Sequence, residues 1–179
     1  MSIFVVITMD VRIIKASACD IMVIHDMADV VFRHTYKDIL SSEQIDYMMD
    51  WMYSPENLCR QMEDGHIYYI ALRQERPCGY VSIQPYGVSD DGCKLFHLQK
   101  IYVLPSEQGA GLGRILFDKA VESARESAGG HGARIELNVN RSNPSIGFYR
   151  HLGMKVLREG DFPIGNGFYM NDYIMGMDI

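Results

Sequence analysis

The sequence predicts an α+β domain (mixed α/β), built on a mixed sheet of about seven strands with helices on both faces. Three observations support this fold class. Short apolar segments of strand type recur along the chain. Between them lie segments whose apolar residues repeat every three or four positions, as on one face of a helix. Finally, a strand, a glycine-rich turn, a helix and a second strand follow one another over residues 98–139, which predicts a parallel pair with a right-handed crossover.

The composition is that of one ordinary globular domain. Of the 179 residues, 47% are hydrophobic and 22% are charged, so residues 1–179 are expected to form a single domain with a substantial core. The formal net charge of -6 argues against a nucleic-acid platform. This charge is compatible with a cationic substrate such as an amine, although solubility alone explains it equally well.

Neither the cysteines nor the N-terminal residues carry a metal-binding or targeting pattern. Cys19, Cys59, Cys78 and Cys93 are too far apart for a C-x-x-C site, which favours reduced thiols in a cytoplasmic protein without a metal. Residues 1–9 are largely apolar but lack a basic leader and are too short to span a membrane, so we expect them to extend the first strand. No other apolar run approaches transmembrane length.

The first half of the chain predicts a strand, three helices and a hairpin. Ser17 or Asp20 can cap the first helix, whose buried stripe ends near Phe32, and residues 33–38 follow as a polar and aromatic connection. Ser42 is expected to cap the second helix. The predicted elements are a strand over 11–15, helices ending near 32, 52 and 65, hairpin strands over 66–72 and 78–83 with the turn at residues 75–77, and a loop over 85–92.

The second half alternates strands and helices. The helix after the glycine turn is amphipathic, because Leu112, Leu116, Ala120 and Ala124 recur every four residues. A short helix further on is closed by Gly153. The predicted elements are a long strand over 94–104, a helix from about 112, a strand over 135–139, a helix over 143–151, and strands over 154–158 and 168–177.

The glycine-rich turn over residues 108–113 predicts an anion site. The first amides of a helix lack partners within the helix, and the helix dipole makes this end positive. Glycines let the backbone turn tightly and let an anion approach these amides, so we expect a phosphate or pyrophosphate here. Arg114 can add a charge-assisted contact. The alternative is a glycine-rich helix cap without a ligand.

The residues around this turn exclude two common phosphate loops. A Walker loop requires Lys and then Ser or Thr after its last glycine, where this sequence has Arg114 and Ile115. The dinucleotide pattern G-x-G-x-x-G fails because Leu116 occupies the place of the third glycine. The actual pattern is Gln-x-x-Gly-x-Gly after a strand ending Ile-Tyr-Val-Leu-Pro. It resembles the acetyl-CoA pyrophosphate loop of the GCN5-related N-acetyltransferase (GNAT) superfamily.

A second segment, residues 138–154, carries the same resemblance. Members of the superfamily commonly have an Asn, a small helix, Phe-Tyr and then Leu-Gly-Phe. This sequence has Asn143, then Phe148 and Tyr149, and then Leu-Gly followed by Met154 in place of Phe. That exchange keeps an apolar side chain. The resemblance implies that Asn143 contacts the pantetheine arm of the cofactor and that Tyr149 reaches its sulfur.

The resemblance runs from residue 11 to the C-terminus and makes the expected fold more specific. It implies a mixed, mostly antiparallel central sheet whose parallel strands splay apart. The pantetheine of acetyl-CoA is then expected in the gap, paired with the backbone of the first splayed strand. Acetyl-CoA is the expected co-substrate, and no metal is expected. The residues expected to bind acetyl-CoA are Ile101, Tyr102, Val103, Gln108, Gly109, Ala110, Gly111, Leu112, Gly113, Arg114, Asn143 and Tyr149.

A phenol beside the sulfur suits the chemistry that the resemblance implies. When an amine attacks the thioester carbonyl, the CoA thiolate must leave, and a nearby hydroxyl can donate a proton to it. A backbone amide of the splayed strand can stabilise the oxyanion. Tyr149 is therefore the expected general acid. The alternative is a core tyrosine that packs its helix on the sheet.

His97 is the candidate general base. Several histone-type relatives carry a Glu on the long strand, five residues before the residue matched by Tyr102, and that position here is His97. His97, Gln99 and Ile101 are expected on one face of the strand. An imidazole that titrates near neutrality can accept a proton from an ammonium group. The alternatives are a half-buried structural histidine, or proton loss through ordered water.

Acceptor recognition in relatives comes from the first two helices, their connection and the last hairpin. A carboxylate such as Asp172 suits an ammonium group. Each candidate also has a plain alternative as a solvated or packing residue. The pattern is loosely similar to bacterial polyamine acetyltransferases. The candidate acceptor-binding residues are His34, Tyr36, Tyr69 and Asp172, with Asn171 and Tyr173 beside them.

The sequence thus predicts a cytoplasmic bacterial enzyme that transfers acetyl from acetyl-CoA to a primary amine of a small molecule, polyamine or peptide, by direct attack in a ternary complex. The alternative is a catalytically silent CoA-binding sensor or interaction module. No nucleic-acid or membrane partner is expected. A homodimer is expected through the last strands, where Phe168, Tyr169, Met170 and Tyr173 are expected to be exposed.

Overall fold

The structure is a computed structural model that describes residues 11–179, so the expected strand extension over residues 1–9 lies outside the described residues. Two 3-10 turns, Ala18–Asp20 and Pro105–Glu107, precede the first and fourth helices. The helices and strands in chain order are β1 (Val11–Lys15), α1 (Ile21–Tyr36), α2 (Ser42–Tyr53), α3 (Pro55–Glu63), β2 (Ile67–Arg73), β3 (Arg76–Val88), β4 (Lys94–Val103), α4 (Leu112–Ala128), β5 (Ala133–Asn140), α5 (Ile146–His151), β6 (Lys155–Gly165) and β7 (Phe168–Asp178).

The strands form one seven-stranded sheet in the order β1-β2-β3-β4-β5-β7-β6. Every neighbouring pair is antiparallel except β4 and β5, which are parallel and are joined through α4. This arrangement confirms the predicted fold class and its parallel pair. The predicted strand over 11–15 is β1, and the long strand and helix around the glycine turn are β4 and α4.

Two hydrophobic cores cover the two faces of the sheet. The α4 core contains the buried stripe of α4, including Leu116 and Ala120, packed against Ile135 and Leu137 of β5. The second core, here called the α1–α3 core, joins the first three helices to the other face and is rich in aromatic residues, among them Phe32. Helices therefore lie on both faces, as predicted.

Helix α1 is one turn longer than the sequence predicted. The expected connection over residues 33–38 is helical as far as Tyr36. Tyr36 is buried and its ring lies 4.5 Å from that of Phe32, so the apolar stripe continues past the expected end. Arg33 also pairs with Asp29 one turn earlier, at 2.7 Å. Helix-type packing and an i,i+4 ion pair thus outweigh the polar composition of this segment.

The predicted loop over residues 85–92 is also partly wrong, because β3 continues to Val88 and pairs with the start of β4. The hairpin turn between β2 and β3 lies at Gln74 and Glu75, both with positive φ, rather than at the predicted residues 75–77. Such a two-residue turn suits the twist of the flanking strands. The cap of α2 is Ser41, whose side chain accepts from the amide of Gln44, and not Ser42.

The last two strands are longer than predicted and cover most of the surface expected to form a dimer. Met170 is buried, Phe168 packs against Tyr47 with ring centroids 5.5 Å apart, and Tyr173 packs against the α4 core. Of the four residues expected to be exposed, Tyr169 alone is, at 55%. The expected exposure was therefore wrong for Phe168, Met170 and Tyr173, because β6 and β7 form a long hairpin whose side chains also pack on α2.

Candidate active site

The site lies where β4 and β5 separate. The two strands pair over only four residues each, from Lys94 to His97 and from Ala133 to Glu136. Beyond these residues β4 stays paired with β3, and β5 stays paired with β7. The resulting gap opens into a cavity of about 430 Å³ lined by both strands, the glycine-rich turn, α1 and α5.

A β-bulge at Gln99 marks the start of this gap. Ser82 of β3 is opposite Lys100 and Ile83 is opposite Leu98, so Gln99 is an extra residue on β4. A bulge reverses the alternation of side chains beyond it. Ile101 consequently packs against the α4 core on the same side as Leu98. The prediction that His97, Gln99 and Ile101 share one face was therefore wrong for Ile101.

The glycine-rich turn forms one end of the cavity. Gly109 and Gly111 have φ of +79° and +78°, a left-handed conformation that residues with a Cβ adopt at a cost. Gly111 is the N-terminal cap of α4 and supplies no side-chain hydrogen bond to the first amides. The side chain of Gln108 donates to the carbonyl of Val103 at 3.2 Å, which ties the turn to the end of β4.

Gly113 shows why this turn lies so close to α5. A Cβ at Gly113 would lie 3.2 Å from the ring of Phe148, a contact tighter than side chains normally make. The missing side chain therefore lets the start of α4 approach α5. Arg114 lines the cavity, but its guanidinium is paired with Asp118 at 3.0 Å and is largely exposed. Its availability to an anion thus depends on exchange with that carboxylate.

Tyr149 and Asn143 form another part of the cavity wall. Both are buried, with 8% and 7% of their surface exposed, and both line the cavity. Burial raises the pKa of Tyr149 well above its usual value, so the phenol stays protonated at neutral pH and can act as a donor. The side-chain oxygen of Asn143 accepts from the amide of Ser145 at 2.8 Å. Its side-chain nitrogen lies 3.4 Å from the hydroxyl of Tyr36.

Tyr36, predicted for the acceptor, thus lies beside residues predicted for the cofactor. Its hydroxyl also lies near Tyr102, whose own hydroxyl is 3.4 Å from that of Tyr53. Burial raises the pKa of Tyr36, Tyr53 and Tyr102, with Asp172 adding to the rise at Tyr36. All of these phenols are therefore neutral hydrogen-bonding groups at physiological pH.

Lys100 is a buried cation beside these phenols. Its side chain is 5% exposed, and its Nζ donates to Oε1 of Gln61 at 2.6 Å. The same Nζ lies 5.5 Å from the ring centroids of Tyr53 and Tyr68. Burial alone lowers the pKa of Lys100 to about 7. Lysine is seldom fully buried unless it is paired. Lys100 is therefore an unusual residue in the wall of this cavity.

His97 and Asp172 are joined through Asn138 on the face of the sheet that α1 covers. Nε2 of His97 lies 3.2 Å from Oδ1 of Asn138, and Nδ2 of Asn138 lies 3.4 Å from Oδ2 of Asp172. Burial raises the pKa of Asp172 and lowers that of His97. Within residues 11–179, His97 Nδ1 and Asp172 Oδ1 are buried without a hydrogen-bond partner. Of these three residues, Asn138 lines the cavity.

The structure does not bring all the acceptor candidates together. His34 is exposed on the last turn of α1. Tyr69 lies in the α4 core on the opposite face, where its hydroxyl donates to Ser123 at 3.0 Å. Asn171 is exposed, while Tyr173 packs against the α4 core. Tyr36 and Asp172 are thus the two candidates that lie together beside the cavity.

Sequence reasoning missed Lys100 and Asn138. Lys100 lies next to the bulge and directly before the apolar run Ile101–Val103, and a charged residue beside that run was the available signal. Asn138 lies between Leu137 and Val139, both of which face the α4 core, so the period of two predicts that its side chain lies on the other face. Nothing in the sequence indicated that His97 and Asp172 flank it.

Within residues 11–179, no group of His, Cys, Asp or Glu side chains has the arrangement of a metal site. None of the helices described is long and apolar enough to cross a membrane.

The chain matches the profile of one protein family and is similar to several solved structures. The profile of the acetyltransferase (GNAT) family matches residues 32–154. A similar structure is the PaiA N-acetyltransferase from Thermoplasma acidophilum in complex with coenzyme A, with a TM-score of 0.76, 22% identity, and coverage of 96% of this chain and 100% of that one. Another is a GCN5-related N-acetyltransferase from Rhodopseudomonas palustris, with a TM-score of 0.74, 18% identity, and coverage of 94% and 95%.

One curated relative matches over a shorter segment. Peptidyl-lysine N-acetyltransferase YjaB from Escherichia coli is 33% identical over 61 residues, which is 34% of this chain. The matched segment spans 36% of that protein's own length.

Proposed function

The chain belongs to the acetyltransferase (GNAT) family, and from that premise we propose that it transfers the acetyl group of acetyl-CoA to a primary amine of a small molecule, polyamine or peptide. Attack by the amine is direct, within a ternary complex. The observation that carries this proposal is the gap between β4 and β5, which has a glycine-rich helix start at one end and Tyr149 on its wall. Acetyl-CoA as co-substrate and Tyr149 as general acid both require this arrangement.

The residues around the gap fit the donor. The amides of the glycine-rich turn and the start of α4, over residues 109–113, can hold the pyrophosphate, since Gly111 caps the helix without a side chain that competes for them. The backbone of Ile101, Tyr102 and Val103 lines the gap and offers amides and carbonyls to an extended arm. Asn143 also lines this cavity and can contribute its side-chain amide.

Proton transfer is assigned to Tyr149 and His97. Tyr149 is a neutral phenol at the cavity wall, and as general acid it donates its proton to the departing thiolate. His97 takes up the proton of the attacking ammonium group, directly or through an ordered water. The lowered pKa of His97 keeps its imidazole neutral, and thus able to accept, at physiological pH. Asp172 and Tyr36, next to Asn138 and Asn143, receive the acceptor's amine.

Donor binding is tested by isothermal titration of acetyl-CoA. Gly111→Ala forces a Cβ into a left-handed backbone at the proposed pyrophosphate site. We expect its Kd for acetyl-CoA to rise at least tenfold, on the order of one lost charge-assisted contact. Gly129→Ala is the matched control, because Gly129 caps the other end of the same helix with φ of +62°. Equal loss of binding in both variants, or no binding in the wild type, contradicts the assignment.

The acid assignment is tested by Tyr149→Phe, which keeps the ring and removes the hydroxyl. We expect kcat to fall by roughly 10- to 1,000-fold while acetyl-CoA affinity changes little, because only departure of the thiolate is impaired. Tyr69→Phe is the control, a phenol buried on the other face of the sheet. If kcat is unchanged in Tyr149→Phe when chemistry limits the rate, Tyr149 is not the acid.

The acceptor is found by measuring thiol release with a panel of small primary amines, polyamines, and peptides bearing a lysine or a free N-terminus. We expect at least one class to release CoA thiol and to gain 42 Da by mass spectrometry, about the mass of an acetyl group replacing a proton. Tight acetyl-CoA binding without transfer to any of them supports the alternative of a CoA-binding sensor.

A further inference from the structure

With Asp172 ionised, the chain of hydrogen bonds from His97 through Asn138 to Asp172 has one direction. An ionised carboxylate only accepts hydrogen bonds, so the group of Asn138 that faces Asp172 must be the amide nitrogen. The carbonyl oxygen of Asn138 then faces His97 at 3.2 Å. A carbonyl cannot donate, so the ring nitrogen that faces it, Nε2, must carry the proton.

This direction decides where the lone pair of the neutral imidazole lies. With the proton on Nε2, the acceptor lone pair is on Nδ1. Nδ1 of His97 is buried and has no hydrogen-bond partner within residues 11–179. An unpaired buried acceptor costs about 1–3 kcal/mol, so a fold that retains one without a function is at a disadvantage. A base with a free lone pair is the form that accepts a proton.

We propose that Asn138 is a positioning residue that, held by Asp172, fixes His97 in the tautomer with the proton on Nε2 and keeps Nδ1 free to take the acceptor's proton. Proton uptake by Nδ1 during catalysis rests on the proposed function, whereas the tautomer of His97 does not. Oδ2 of Asp172 holds Asn138, while its Oδ1 has no hydrogen-bond partner within the described chain.

Other polar and charged groups also face His97, from three strands. Glu136 of β5 raises its pKa, while Lys100 of β4 lowers it, and burial lowers it most. From β3, the ring of Tyr86 meets the imidazole edge to face, with centroids 5.9 Å apart. Gln99 also approaches the ring, but its amide nitrogen is committed to Gln84 at 3.2 Å. Among the neighbours named here, Gln99 is therefore the residue that could impose the opposite tautomer, by accepting from Nδ1 through its side-chain oxygen.

The test is long-range ¹H–¹⁵N NMR of the ¹⁵N-histidine-labelled full chain at pH 7.5, without acetyl-CoA or acceptor. The signals of His97 are assigned by their loss in His97→Gln. We expect the wild type to show one neutral tautomer with a proton on Nε2, and that proton to be protected from exchange with water. Asn138→Leu removes the acceptor, so the Nε2 proton should lose its protection. Asp172→Asn lets Asn138 turn over, so a population with the proton on Nδ1 should appear.

Gln99→Leu is the comparison variant and should leave the tautomer of His97 unchanged. A wild-type proton on Nδ1, or loss of the Nε2 tautomer in Gln99→Leu but not in Asn138→Leu, overturns the proposal. If the acetyl-transfer assay works, Asn138→Leu should lower kcat/KM by on the order of 10- to 100-fold, part of what a general base supplies. It should also move the acid limb of the pH profile. If the enzyme proves inactive but the NMR result holds, the proposed function fails and the positioning by Asn138 stands.

Discussion

The two faces of the sheet are built by different physical means. The α4 core is held by apolar burial, and its buried hydroxyl pair, Tyr69 with Ser123, is self-satisfied at 3.0 Å. The α1–α3 face instead buries Lys100, Ser82 and Asp172 among tyrosines. Some polar groups on this face have no hydrogen-bond partner within residues 11–179, among them Ser82 Oγ and Tyr80 Oη.

This difference assigns a task to each face. The α4 core positions the glycine-rich turn, because Leu112 and Leu116 fix the first turn of α4 against β3 and β4. The α1–α3 face carries His97 and Asp172, the proposed base and a proposed acceptor-binding residue, whereas the proposed acid Tyr149 belongs to the α4 core. Buried polar groups cost free energy unless they are fully paired, so chemistry on the α1–α3 face is retained at a cost in stability. Substitutions on the two faces should therefore have opposite effects on stability.

The largest effect is expected from Leu116→Ala in the α4 core. Leu116 is fully buried, so the substitution removes apolar atoms and leaves a cavity. We expect the free energy of unfolding to fall by about 2–5 kcal/mol, measured by urea denaturation. Ile115→Ala, at a half-buried neighbouring position of the same helix, should cost clearly less. Equal costs at both positions mean that the α4 core is not the main source of stability.

The second prediction concerns Lys100, whose burial lowers its pKa from 10.5 to about 7. Below the folded pKa the ammonium is charged in both states, and the folded state bears the cost of burying it. Between pH 7 and 10 the unfolded chain binds more protons, so stability rises with pH. Lys100→Met should therefore stabilise the protein by a few kcal/mol near pH 7, and the gain should shrink by roughly 1.4 kcal/mol per pH unit toward pH 10.

Urea denaturation of wild type and Lys100→Met at pH 6, 7.5 and 9 measures this effect. Lys155→Met, at an exposed position on β6, gives the background for removal of a lysine. A stability difference that does not change with pH contradicts the lowered pKa. A loss of stability in Lys100→Met at every pH means that the bond from Lys100 to Gln61 outweighs the burial of the charge.

The contrast between the faces also explains what the sequence could predict. The α4 core follows regular periods, so its stripe of Leu112, Leu116, Ala120 and Ala124 was predicted and is entirely buried. The glycine-rich turn and Tyr149 were found because local patterns resemble a known family. Their places around one cavity agree with that resemblance, while their catalytic roles stay predictions.

The α1–α3 face escaped prediction for a physical reason. Side-chain directions were predicted from the alternation of residues along a strand, and the bulge at Gln99 interrupts that alternation. No local residue pattern predicts the bulge. The chain from His97 to Asp172 joins three strands that are distant in sequence, so it arises from topology. Tyr36 was expected in a loop, and it reaches Asn143 because tertiary packing extends α1 by a turn.

The smallest effect is expected from removing one hydroxyl on the α1–α3 face. Tyr80 is fully buried, and its hydroxyl has no hydrogen-bond partner within residues 11–179. Tyr80→Phe keeps the ring and removes the unpaired group, so the free energy of unfolding should stay constant or rise by about 1 kcal/mol. Tyr68→Phe is the matched variant on the neighbouring strand, because the hydroxyl of Tyr68 donates to Gln61 at 2.6 Å. That variant should lose about 1 kcal/mol. Equal losses in both variants imply that the Tyr80 hydroxyl is paired in solution, for instance by a buried water. The free-energy cost of burying polar groups on the α1–α3 face is then smaller than its unpaired groups suggest.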